Sequence, residues 1–366
     1  MKSSALLLTL LLAFGSIQRA GELALPGYRF QFPRDHFSHP NYDTEWWYFT
    51  GNLTAKDGHQ FGFEVTFFRY RPEEKRANSI RNPVWDSDQV YIAHFALSDL
   101  TGGRFYHQER LNRPGPGIAG VDAGQRTIWN GNWQVRWLSF DPIQQELYAV
   151  DRDVEIRLKL TSQKPVVIEG RNGVSQKGPL PGEASHYYSL TRIAATGNVK
   201  LAGKDYDVTG LAWMDREFFS SVPGSQVQGW DWMYVQLRSG EDLMLYRLRL
   251  KDGSISPYSS GTFVDPHGKA EFLDGGKFSL RPVNTWRSPA SGTEYPVEWN
   301  VSVPSKSLEL HLTTPLKSQE LRNGVTQSYW EGAVRFAGTE AGRPAEGDGY
   351  LEMTGYDGSR SSPNGR

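Results

Sequence analysis

The sequence predicts an all-β protein assembled from two copies of one fold, and three observations point there. Hydrophobicity alternates with a period of two in short β-branched or aromatic runs such as FGFEVTFFRY, VYIAHFALSDL, VEIRLKL, YDVTGLAWMD, WDWMYVQL and LMLYRLRL. That spacing sends successive side chains to opposite faces of a strand, and no long stretch keeps a helical stripe. Turn formers are abundant, with 38 glycines and 21 prolines, and they punctuate the runs in segments such as KDG, RSGED and PHG, as a barrel or sandwich requires. The third observation is a loose internal repeat. TEWWYFTGNLTAKDGHQFGFEVTFF and WDWMYVQLRSGEDLMLYRLRL each run an aromatic strand through a polar turn into a second strand. SHYYSLTRIAATGNVKLAGKDYDVTG and SYWEGAVRFAG…GDGYLEMTG each run an aromatic pair into a hairpin that closes on Thr-Gly. Such self-similarity predicts two domains of one kind.

The elements follow in chain order. Residues 1–20 read as a secretory signal peptide: one lysine, an apolar run from Ala5 to Phe14, then small residues at Gly15 and Ala20, too short for a membrane anchor. A first domain is expected over 26–220, a second over 221–358 with the join in SSVPGSQVQ, and a disordered tail over 359–366. The predicted location is periplasmic or secreted. With no cysteine in the chain, disulfides, thiolate metal sites and cysteine nucleophiles are excluded, so an exported protein must be held by its cores. A formal net charge of −1 argues against nucleic-acid or anionic-membrane partners. The high aromatic share, 13%, suits a pocket for an apolar ligand.

Several reactive motifs are missing: G-x-S-x-G, H-E-x-x-H, the P-loop and G-x-G-x-x-G opening a helix. His36 and His39 in DHFSHP lie in a Pro-flanked, non-helical segment, which gives no fixed face for a zinc pair. What remains is carboxylates among aromatics. In LAWMDREFF, alternation places Leu211, Trp213, Asp215 and Glu217 on one face and Ala212, Met214, Arg216 and Phe218 on the other. An acid desolvated against an indole has its pKa raised and can act as a general acid near neutrality; the alternative is a solvated turn in which Asp215, Arg216 and Glu217 form surface ion pairs. In DTEWWYFTGNL, Glu45, Trp47 and Phe49 share one face and Trp46, Tyr48 and Thr50 the other. Glu64 adds a further acid. His94 sits on a largely apolar face, which favours a satisfied core histidine. Trp230, Trp232 and Tyr234 share a face, as ordinary barrel core would. Buried beside indoles, Glu45 needs a partner, and Arg216, Arg69 or a tyrosine hydroxyl are the candidates by type.

The blocks FPRDHFSHPNYDTEWWYFTGNL, YIAHFALSD, YYSLTRIAATGNVKLAGKDYDVTGLAWMDREF, GWDWMYVQL and YWEGAV…GYLEMTGY resemble the AttH and carotenoid 1,2-hydratase (hydroxyneurosporene synthase) family across nearly the whole mature chain. The resemblance implies two lipocalin-like β-barrel domains in tandem. It also implies an exported protein of a kind labelled secreted hydrolase, encoded beside export-type transporters, so a transporter partner is an expectation; only one branch hydrates carotenoids. The expected function is water addition to an alkene of a small apolar isoprenoid or lipid. Such a reaction needs a proton donor, stabilisation of a tertiary cation and a held water, with no metal or redox cofactor. The expected catalytic residues are Asp215, Trp213 and Glu217. Glu45, Trp46, Trp47, His94, Trp230, Asp231 and Trp232 are expected to bind the substrate, and no metal ligand is assigned. A non-catalytic carrier of a hydrophobic ligand, using the same acids to anchor a head group, is the alternative. A purely structural β-protein would leave both acids exposed.

Overall fold

A computed structural model describes residues 21–72, 89–221, 224 and 226–358. The signal peptide, the tail and part of the join read from the sequence lie outside these described residues. Strand takes 62% of the described residues and helix 2%, so the period-two pattern is decisive throughout them. Among the described residues, thirteen strands between Thr44 and Phe219 form one sheet that curls into a nearly closed barrel, and ten between Val227 and Met353 form a second that makes a half-barrel. No helix among them is long and apolar enough to cross a membrane.

Both sheets follow the same path, which is the internal repeat made visible. In the first, the opening strand Thr44–Ala55 lies antiparallel beside the closing strand Lys204–Phe219, with a meander on one side and Ala184–Leu201 on the other. In the second, Val227–Leu237 and Arg343–Met353 take those places, with Tyr329–Glu340 beyond. Equivalent residues follow from the registers. Glu45 opposes Arg69 in the first sheet as Asp231 opposes Arg247 in the second.

Each barrel interior is filled by its own side chains. Trp47, Phe49, Phe63, Phe67, Trp133 and Met214 pack in the first, and Met233, Val235, Trp299, Trp330 and Leu351 in the second. Alternation then sends the other face of the opening and closing strands outward, where the two domains meet. Tyr48, Tyr187, Trp213, Trp232, Tyr234, Tyr246 and Tyr350 form a third cluster at this seam. The stripe Trp230, Trp232 and Tyr234 is therefore not barrel core: it lies on the outside of the second barrel and turns toward the first.

Two polar clamps hold the seam closed. A register shift between Leu190 and Ile193 lets the consecutive residues Thr191 and Arg192 both reach Asp242 of the second domain, at 2.9 and 2.7 Å, the re-aiming a bulge provides. Lys164 adds a second cation at 2.7 Å from the same carboxylate. On the far side, Glu109 accepts backbone N–H bonds from Gly324, Val325 and Thr326 of the second domain. His94 bonds Tyr329 through Nδ1 at 2.8 Å and Thr326 through Nε2 at 3.1 Å. Burial opposes ionisation of Glu109, but the bonds from His94 and Thr326 outweigh it and pull the carboxyl down to about 2. Gly62 makes close approach possible, since a Cβ there would lie 2.8 Å from Ala333 and 2.9 Å from the Tyr350 hydroxyl.

Candidate active site

The outward face of the closing strand carries Trp213, Asp215 and Glu217 into the seam, in the alternation read from the sequence. Asp215 keeps 4% of its surface. Three donors converge on it at 2.6 Å each: the Tyr187 hydroxyl on Oδ2, and the Ser189 hydroxyl and Trp213 indole N–H on Oδ1. Burial pushes the carboxyl up to about 7, while the bonds from Ser189, Tyr187 and Trp213 restrain the rise. The surface-turn alternative fails, because both acids are buried. Close by, Glu169 receives the Thr262 hydroxyl of the second domain, and burial raises it to about 8.

Glu217, one alternation further, has the opposite environment. Lys177 lies 2.6 Å from its Oε2 and Ser185 donates to the same oxygen. Burial works against the Lys177 ammonium, but the Glu217 charge prevails and raises its pKa. The same ammonium stands 5.6 Å from the Tyr187 ring and 5.7 Å from the Tyr246 ring. Two carboxyls two residues apart thus have different surroundings, Asp215 desolvated among neutral donors and Glu217 salt-bridged to Lys177.

Aromatic faces complete the surface. Trp213 stacks on Tyr234 with centroids 4.6 Å apart, Trp232 meets Tyr234 edge-on at 5.7 Å and Tyr48 at 5.3 Å. Trp46, Lys177, Trp230 and Glu352 keep intermediate exposure, and they form the rim. Beyond Tyr48 lie Glu64, Glu331 and Glu352, which sequence reasoning did not assign to the site. Glu331 and Glu352 stand in YWEG and YLEM, the same acid-beside-aromatic signal as EWWY. Glu169, Lys177 and Ser189 carry no such signal: Glu169 follows the two-residue strand Val167–Ile168, Lys177 lies in a loop, and Ser189 is one serine among many. Among the described residues, no three His, Asp or Glu side chains converge as metal ligands would.

Other expected residues are placed elsewhere. Glu45 and Trp47 point into the first barrel, because they share a face with Phe49. Glu45 is fully buried, paired with both Arg69 and Arg216 and hydrogen-bonded by Ser38 and the His39 N–H. Asp231 points into the second barrel, held by Arg247 at 2.6 Å and Arg249 at 3.2 Å. Neither acid reaches the seam. His94 stands at the seam's edge as a clamp. His36 bonds Tyr188 at 2.7 Å, while His39 stacks on Phe218 at 3.7 Å, so the two histidines serve different partners.

The AttH-like family model matches residues 23–356. The chain belongs to the AttH-like family. A crystal structure assigned to AttH from Nitrosomonas europaea superposes with a TM-score of 0.81 at 33% identity, covering 92% of this chain and 99% of that one. The crystal structure of kievitone hydratase from Nectria haematococca has a TM-score of 0.68 at 16% identity, covering 92% and 95%, a likeness of fold. In sequence, kievitone hydratase of Fusarium solani subsp. phaseoli is 24% identical over 231 residues, 61% of this AttH-like chain and 63% of its own length. The match therefore spans less than two thirds of that relative.

Proposed function

We propose that this AttH-like protein is a hydratase that adds water across an alkene of an isoprenoid or lipid-like ligand held between its two domains. The supporting observation is Asp215: a carboxyl raised to about 7 by burial, fixed by Trp213 and set against aromatic faces. The kinship with a kievitone hydratase supports the same reaction class. Neutral Asp215 gives its proton to the less substituted alkene carbon, and the electron pair of the double bond forms the new C–H bond. The tertiary cation left behind is stabilised by the faces of Trp213, Trp232 and Tyr234. Water held at Glu217 attacks the cation and passes a proton to that carboxylate, which returns it to Asp215 before the next turnover. The sum is alkene plus water to tertiary alcohol. The test is product analysis with a panel of isoprenoid alkenes and with kievitone. A product one water heavier supports the reading; ligands that bind and are recovered unchanged would make the protein a carrier.

The seam is favoured over a barrel interior as the ligand site because Trp46, Lys177, Trp230 and Glu352 keep intermediate exposure there, whereas large side chains fill both interiors. Export is part of this proposal, from the apolar run Ala5 to Phe14. Protein recovered from its native host is expected to lack about the first 15 to 20 residues. An intact mass that retains Met1 would count against export by cleavage.

A further inference from the structure

We propose that Glu64, Glu331 and Glu352, with Tyr48, form a second pole of the seam that binds an oxygen-bearing group of the ligand, so that the ligand is an alkene with a hydroxyl, phenol or ketone at its other end rather than a bare hydrocarbon. This rests on the seam being the ligand site, and it names the ligand class. Glu331 and Glu352 are directly opposed on neighbouring strands; burial raises Glu331 well above its ordinary value, and Glu64 stands close enough from the first domain to add to that rise when ionised. Glu64 and Glu331 are 0% and 1% exposed. Thr66 donates to one oxygen of Glu64, and the Trp230 indole donates to Glu352 at 3.1 Å. The hydroxyls of Tyr48 and Tyr329 lie within hydrogen-bond reach of the Glu331 carboxyl. Even so, Glu64 Oε2 ends without a hydrogen-bond partner among the described residues.

A buried polar atom left in that state costs about 1–3 kcal/mol, so a group that satisfies it gains what the apo protein lacks. Burial holds Glu64 and Glu352 up at about 8, so at neutral pH they carry protons and donate to an oxygen. The nearest ammonium, Lys177, is engaged by Glu217. The rings of Trp213, Trp232 and Tyr48 run from the Asp215 pole to this one, a span suited to the apolar part of such a ligand.

Calorimetric titration of the full chain with farnesol and with farnesene, of equal carbon number, tests this without turnover. The expected result is about tenfold tighter binding of farnesol, the ratio one well-made hydrogen bond supplies. In Glu331→Leu that ratio falls to near one while farnesene affinity is kept. Glu331→Gln, which keeps an N–H donor and the shape, should restore most of it and guards against a folding artefact. Equal affinities in the wild type, a preference that survives Glu331→Leu, or no binding of either probe overturns the proposal. A farnesol preference without any hydrated product would leave the subsite standing and remove the hydratase reading. A hydrated product without a preference would do the reverse.

Discussion

Asp215→Asn is expected to lower kcat for alkene hydration by about 10²- to 10⁴-fold, the contribution of a positioned general acid, while the alkene still binds. The amide keeps the shape of the carboxyl and still accepts the Trp213 N–H on its oxygen, but it has no acidic proton for carbon. The proposed reaction predicts a matching pH dependence in the wild type: the form expected to react is the protonated one, so kcat is expected to fall as pH rises through about 7, the value to which burial raises Asp215. That descending limb is expected to vanish from the residual rate of the variant. An Asp215→Asn enzyme with wild-type kcat, or a rate that rises with pH through neutrality, would assign the acid elsewhere. Glu169 would then be the next candidate, because burial raises it to about 8.

The second large effect concerns stability. Glu45→Gln is expected to cost about 3–5 kcal/mol, because it leaves a buried charge network without its anion. Arg69 and Arg216 are both 0% exposed, and their other partners are mainly carbonyls: Tyr42 and His39 for Arg69, Phe37 and Glu217 for Arg216. Burial opposes the Glu45 charge, but Arg216 and then Arg69 overcome it and hold the carboxyl well below its usual range. For a carboxyl so depressed, the stabilisation is fully present above the ordinary carboxylate range and is lost as pH falls below it. Denaturant unfolding should therefore show the gap between wild type and Glu45→Gln at neutral pH and a narrowing gap in acid. A difference below about 1 kcal/mol at neutrality, the range of an exposed pair, would mean that the cluster is solvated.

Strand alternation made much of this legible in advance. It placed Asp215 with Trp213 and apart from Arg216, set Trp46 and Tyr48 opposite Glu45 and Trp47, and exposed the repeat that the two sheet paths share. Alternation defines two faces, however, and does not say which one is the interior. In most barrels polarity decides, since the outer face meets water. Here the outer faces of the opening strands are covered by the other domain, so both faces are apolar and aromatic. For that reason Glu45, Trp47 and Asp231 were grouped with substrate contacts, although they point into the barrels. For the same reason the Trp230, Trp232 and Tyr234 stripe is compatible with barrel core as well as with the expectation that Trp230 and Trp232 bind the substrate. Glu331 and Glu352 were within reach of the acid-beside-aromatic signal. Glu169, Lys177, Tyr187 and Ser189 were not, because only the antiparallel register of Ala184–Leu201 against Lys204–Phe219 brings Tyr187 and Ser189 to Asp215.

The family alone does not choose between chemistry and carriage; the seam's differentiated acids favour chemistry. Product analysis in water enriched in ¹⁸O, with an isoprenoid alkene that the protein binds, tests this most directly. A tertiary alcohol carrying the heavy oxygen, formed by the wild type and at the background rate by Asp215→Asn, is the result expected of acid-catalysed hydration in the seam. Alkene recovered unlabelled and intact after prolonged contact with saturated protein, or label incorporated equally well by both proteins, would contradict it.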